Sequence, residues 1–400
     1  MLNLDDHQPP VKPFALFELG FRPFFLAAGL FAVVAMAAWM AVFLGGWQAG
    51  DPALAAMFWH GHEMVFGYAL AVVAGFLLTA VRNWTGMDTP RDTGLMLIVL
   101  PWLLGRAGFF IPDGPGIWLS LLGDSLFMLG LIVGVTRPVL RARQWKQLGI
   151  ISKLVLMLLA NLTFYAGVLS HLTPGVQWGL FSGLYLVLAL IFVMGRRVIP
   201  FFIERGVDEA ITIDNGLWLD SASLVLFLAW AVVDVFLPAR QTLLGVLSLL
   251  LVVLHGWRLI HWHTPGIWRK PLLWSLYLGY AWLVAGFLLK AASVWLGLSP
   301  NLALHAFAVG GVGLMTLGMM SRVALGHTGR NVFEPPALLG WLFATLLVAA
   351  VVRVLFPIID KVHYTWWIGC SQLLWILAFA GFAFYYLPVL IKPRVDGRPG

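Results

Sequence analysis

Apolar residues in this chain fall into long, nearly uninterrupted runs, parted by short stretches that gather Pro, Gly and charged residues. Runs stand out near 22–44, 60–81, 93–110, 117–136, 150–170, 178–200, 217–237, 241–260, 271–296, 301–322, 336–356 and 365–390. At 1.5 Å per residue, most of them can cross a hydrocarbon core of roughly 30 Å as helices. The run near 93–110 is short and could be tilted or re-entrant. The pattern predicts an all-α, polytopic integral membrane protein of about twelve transmembrane helices in a single domain. Residues 1–21 and 391–400 are expected as tails, and 22–390 as the helical bundle.

Composition points the same way. With 61% of the 400 residues apolar and 11% charged, no polar segment is long enough to fold as a soluble domain. Residues 1–13 carry Asp5 and Asp6 and lack the basic region of a cleaved signal, so the first span is expected to remain in the mature protein. The single cysteine, Cys370, excludes an internal disulfide and any multi-cysteine metal or iron–sulfur site. A net charge of +7 fits basic loops facing anionic membrane lipid better than nucleic acid, which is not expected as a partner. No phosphate-binding loop is present, so direct use of ATP is not expected.

Lys and Arg in the loops set the orientation. One set of segments holds Lys12 and Arg22; Arg82 and Arg91; Arg137, Arg141, Arg143 and Lys146; Arg196, Arg197 and Arg205; Arg258, Arg269 and Lys270; Arg322 and Arg330; and the C-terminal Lys392, Arg394 and Arg398. The other set has little beyond Arg106, Arg240 and Lys361. The two sets alternate over all the crossings, which places both termini in the cytoplasm. His60, His62, His171, His305 and His363 then fall at or near the outer face. His255, His261, His263 and His327 fall toward the cytoplasm, and His7 belongs to the N-terminal tail.

Ionisable groups at membrane depth are costly, so the outer histidines are the first candidates for chemistry. His60 and His62 sit in Trp59-His60-Gly61-His62-Glu63-Met64, and His305 opens another span. Residues two apart on a helix point about 200° away from each other, so His60 and His62 cannot both grip one ion from regular helix. Either the span starts after them, or they serve two centres on opposite sides, or one of them is a ligand and the other is hydrogen-bonded. Glu63 and Met64 follow His60 at i+3 and i+4. A carboxylate there could orient an imidazole or transfer a proton. Imidazole suits iron, copper and zinc, and a thioether favours copper or low-spin haem. His60, His62 and His305 are therefore the metal candidates, with Glu63 in support. Met315 and Met319 share a face of the His305 span, where methionines are more often packing than ligands.

Other polar residues are weighed against plainer roles. Lys290 is expected to snorkel outward, with Asp124 or Asp234 as alternative partners. Asn161 and Asp220 read as interhelical hydrogen-bonding groups. Arg22, Arg82 and Arg322 lie at inner span ends, where arginine ordinarily anchors the helix, although a guanidinium fork also suits haem propionates. His255, Arg258 and His261 follow one face near the inner surface, where a second haem or metal site competes with an interfacial role. Spans two and ten share a plan: histidine at the outer end, arginine at the inner end, and a Thr-Gly turn beyond.

Three stretches resemble motifs of the NnrS family of membrane proteins. They are Gly20-Phe21-Arg22-Pro23-Phe24-Phe25; Trp59 to Met64 running on through Gly75-Phe76-Leu77-Leu78-Thr79-Ala80 to Asn83-Trp84-Thr85-Gly86; and His305 through Met315–Arg322 to Gly326-His327-Thr328-Gly329-Arg330. The resemblance implies a twelve-span protein of the bacterial cytoplasmic (inner) membrane that contains haem, expected as b-type, and copper. It also implies a link to denitrification and to resistance against nitric oxide or nitrosative stress. The His62-Glu63 pair and His60, His305 and His327 fall within the family's motifs. Paired adjacent histidines and a His-Pro-Glu-Val-Tyr-like stretch are missing, which separates the chain from haem-copper oxidases. Expected partners are membrane lipid, nitric oxide or metal-nitrosyl species, and a quinone or periplasmic electron donor. The competing reading is a secondary transporter of a metal ion or small ligand, with the same histidines lining its route.

Overall fold

The structure, a computed structural model, describes residues 14–47, 54–112, 114–214 and 216–398, so His7, Lys12 and most of the N-terminal tail lie outside the described residues. The apolar runs become helices and no strand forms among the described residues. In chain order these are α1 (Phe21–Gly45), α2 (Ala56–Thr85), α3 (Thr93–Gly108), α4 (Pro115–Arg141), α5 (Leu148–Val168) and α6 (Gly175–Gly206). They continue as α7 (Leu217–Phe236), α8 (Gln241–Trp262), α9 (Pro271–Trp295), α10 (Pro300–His327), α11 (Ala337–Ile359, interrupted at Leu355) and α12 (Tyr364–Ile391). Eleven are long and apolar enough to span a bilayer; α3, at 16 residues, is shorter. The chain is a polytopic helical membrane protein.

Local chemistry marks the helix ends. Pro115, Pro271 and Pro300 occupy first helical positions, where the missing N–H costs nothing. Gly46 and Gly86 close α1 and α2 at φ +67° and +66°, a left-handed turn that residues with a Cβ adopt poorly.

Two helices form the centre. In α2 and α10, 83% and 78% of the most apolar stretch is buried, against 28–56% in the other long helices. The outer helices turn leucines away from the protein, as Leu97, Leu100 and Leu104 do along one face of α3. These are side chains that lipid covers at no cost. The Tyr68 hydroxyl of α2 meets Thr316 Oγ1 of α10 at 2.5 Å, a direct polar link between the central pair.

Polar groups tie the ends to this centre. The Phe21 N–H of α1 donates to Thr79 Oγ1 of α2 at 3.0 Å. Arg22, fully buried, donates from Nη1 to the carbonyls of Leu390 (2.9 Å) and Lys392 (2.7 Å), capping the C-terminus of α12. Helices α3 and α4 approach closely because Gly105 and Gly123 face each other. A Cβ on Gly123 would stand 2.4 Å from the Gly105 nitrogen and 2.7 Å from the Pro101 oxygen, both backbone atoms. Gly123→Val is therefore expected to push α3 from α4 and cost about 1–3 kcal/mol, read as a lower thermal unfolding midpoint in detergent.

Candidate functional site

Both central helices change winding just where their histidines end. In α2 a π-helical segment, Glu63–Ala69, follows His62 directly; in α10 a second, Ala306–Gly313, follows His305. Such segments are rare and frequently mark functional sites. They also alter which residues share a face. Glu63 itself still follows regular winding, its N–H on the Trp59 carbonyl, and its side chain reaches Arg106 of α3.

His62 and Glu63 enter a buried polar network spanning α2 to α5. The His62 ring, wholly enclosed, presents Nδ1 to Glu63 Oε1 at 3.0 Å and Nε2 to Asn161 Oδ1 at 2.8 Å, with Asp124 Oδ2 3.5 Å away. Rings of Phe66, Phe109, Phe164 and Tyr165 surround it, with centroids 4.5–5.4 Å away. Arg106 of α3 donates from Nη1 to Glu63 Oε1 at 2.6 Å and from Nη2 to Asp124, while the Tyr165 hydroxyl donates to Asp124 Oδ2 at 2.7 Å. Space for this guanidinium comes from Gly67, where a Cβ would lie 2.6 Å from Arg106 Nη1. Both nitrogens of His62 are thus engaged by protein, and the polar ends of Glu63 and Asp124 are tied to Arg106.

His60 faces elsewhere. Its ring stacks on Trp39 of α1 at 4.7 Å and 8°, and its buried Nδ1 has no hydrogen-bond partner. It lies within range of the charge of Arg353 on α11, and His305 lies within range of both. His305 directs Nδ1 to the Asn301 carbonyl at 2.8 Å, and its Nε2 accepts from Arg353 Nη2 at 3.0 Å. His60 and His305 thus both lie on the side of Arg353, while His62 belongs to a separate network. Of the three arrangements open to His60 and His62, the hydrogen bonds of His62 match the one in which it is held by protein groups and only His60 is left as a candidate ligand.

The family model described as NnrS protein matches residues 15–394, which takes in α1 to α12. The chain belongs to the NnrS family. No curated protein matches it.

In this NnrS chain the other candidates occupy distinct places. His255 is buried at the opposite end of the bundle, with Nδ1 2.6 Å from the Tyr280 hydroxyl and Nε2 unpartnered. Arg258 joins Tyr280 (3.0 Å) to Asp220 (2.8 Å), which also meets Arg196. His261, on the same face by spacing, is exposed and bonded to its own Trp257 carbonyl at 2.9 Å. His327 packs on the Phe21 ring at 5.6 Å, and Arg82 lies 3.5 Å from exposed Asp88. Arg322 stacks on Phe202 at 3.9 Å. Met315 and Met319 share with Met194 an apolar cleft between α2, α6 and α10.

Lys290 turns inward to Asp234 at 2.7 Å instead of snorkelling, and Tyr185 also binds that carboxylate. Lys290→Met would leave Asp234 with a hydroxyl alone. The expected loss is about 2 kcal/mol, below the range for a fully buried pair because both partners keep about a tenth of their surface exposed. Thermal unfolding of the purified variant checks it.

Sequence reasoning missed Arg106 and Arg353. Arg106 was grouped with loop cations, yet it stands in Gly105-Arg106-Ala107-Gly108. Glycines flanking an arginine in an apolar run signal close helix approach around a buried charge, so the clue was present. Arg353, within Val351-Val352-Arg353-Val354, carries the same clue of a lone cation in a span.

Proposed function

We propose that the chain is a haem- and copper-binding protein of the bacterial inner membrane that acts in nitric oxide metabolism or protects against nitrosative stress. The histidine end of the bundle faces the periplasm in this reading, as the loop charges favour. The observation that carries it is the placing of His60 and His305 just before the π segments of the two most enclosed helices, with the buried Nδ1 of His60 left unpartnered.

The donor chemistry suits the proposed cofactors. No group of three or more His, Cys, Asp or Glu able to hold a metal occurs among the described residues. His60 offers an unpartnered Nδ1, and His305 would join it as a ligand by releasing Arg353 from Nε2; imidazole ligation of this kind suits haem iron. It also suits copper. Arg353 beside the pair is a guanidinium suited to a carboxylate such as a haem propionate. When bound, imidazole-held iron supplies a centre able to take nitric oxide. Around it, Trp39 covers one face of His60, and His62-Glu63 offers a proton position two residues further along α2.

The absorption spectrum of purified protein, with and without nitric oxide, tests this reading. A Soret band that shifts on adding nitric oxide is expected. Protein without haem or metal that carries a solute into vesicles would replace this reading with the transporter.

A further inference from the structure

On the helix faces that line the apolar cleft, a buried cation without an acceptor among the described residues stands one turn beyond it, away from His60 and His305. The walls of the cleft come from one face of α6 (Ile191, Met194, Val198) and one face of α10 (Met315, Met319), with Phe76 of α2. The same two faces continue past it. One turn beyond Met319 stands Arg322, and one turn beyond Val198 stands Phe202, whose ring receives the guanidinium at 3.9 Å. Only 8% of Arg322 is exposed, and no carboxylate, carbonyl or hydroxyl accepts from it among the described residues. Arg322 also lines a small hollow with Lys270, whose ammonium has exposed Asp208 at 3.3 Å.

A buried guanidinium is costly unless an anion answers it, and an aromatic face is weak compensation. The contrast within this protein is direct: Arg22, Arg106 and Arg258, equally enclosed, all donate to oxygen acceptors. An apolar cleft with such a cation one helical turn beyond its lining is complementary to an amphiphile with an anionic head. Met315 and Arg322 are seven residues apart, about 10 Å along the helix, a stretch that several methylenes of an acyl chain would cover. Segments at this end are the Lys/Arg-rich ones, which face the anionic leaflet when positive charge is inside.

We infer that the seam between α6 and α10 is a binding site for an anionic phospholipid, its acyl chain in the Met-lined cleft and its phosphate on Arg322 and Lys270. The haem site of the proposed function lies elsewhere: His305 and Arg322 are seventeen residues apart on α10, about 25 Å.

The test compares delipidated full-length protein given phosphatidylglycerol, phosphatidylcholine with the same chains, or inorganic phosphate. Bound lipid is read by native mass spectrometry, the unfolding midpoint by thermal melting, and haem and metal content in the same preparations. Phosphatidylglycerol is expected to bind and raise the midpoint, and phosphatidylcholine and phosphate to do neither. Arg322→Gln should weaken phosphatidylglycerol binding by about tenfold, roughly one charge-assisted contact, and Arg322→Lys should restore part of it. Gly195→Leu provides a variant with the cation intact: a Cβ there meets nothing closer than 3.4 Å, and the side chain enters the cleft. It should abolish lipid binding. Equal binding of the two lipids, full stabilisation by inorganic phosphate alone, or loss of haem from Arg322→Gln with lipid binding unchanged would each overturn the inference.

Discussion

Replacing Arg106 with methionine is expected to destabilise the protein by about 3–5 kcal/mol, because it strands two carboxylates inside the bundle. Glu63 and Asp124 are 1% and 0% exposed, and Arg106 is the guanidinium between them. Without it, Glu63 keeps only the His62 imidazole, and Asp124 only the Tyr165 hydroxyl and a more distant His62 Nε2, in a setting where water cannot take over. Helices α2, α3, α4 and α5 all meet at this point, so the loss should lower the unfolding midpoint in detergent and the yield of folded protein. Neutralising the carboxylates as well, in a triple variant with Glu63→Gln and Asp124→Asn, should recover most of the midpoint, since amides tolerate burial far better than ions. A single variant that melts with the parent would show that the network holds no charge worth compensating.

That network also marks where the sequence stops being readable. The spans, their proline starts and their glycine stops follow from local chemistry, and the structure has them close to the expected positions. Histidines at one end of α2 and α10 were likewise visible, because a rare residue at a span end is conspicuous. Partner identity was not. Glu63 and Arg106 are 43 residues apart and Arg22 and Leu390 are 368 apart, and nothing in either segment names the other. Lys290 shows the same limit: its stem was long enough to reach water, and only the arrival of Asp234 from α7 turned it inward. The π segments were hidden for a different reason. They break the 100° spacing that face assignments assume for the residues beyond Glu63, and a face assignment by itself does not name Glu63's partners, His62 and Arg106.

His60→Ala and His305→Ala carry the second large effect. Each removes one of only two imidazoles at the candidate centre, and changes merely next to a metal ligand already cost 10–100-fold, so loss of a ligand should exceed about tenfold in retained metal. Neither change should unfold the protein, because His60 has no hydrogen bond through Nδ1 to lose and His305 is tied chiefly to its own helix and Arg353. His62 differs in kind. Its substitution breaks two buried hydrogen bonds, so its first consequence should be a lower unfolding midpoint. His363, exposed and bonded to Asp360 at 2.8 Å, is a control that should alter neither property.

The most direct measurement is iron, copper and haem content per polypeptide for the parent protein, His60→Ala, His305→Ala and His363→Ala, purified side by side with matched folding. The parent and His363→Ala should hold the same cofactor, and His60→Ala and His305→Ala should both lose it. Full retention in both of those variants would contradict the account.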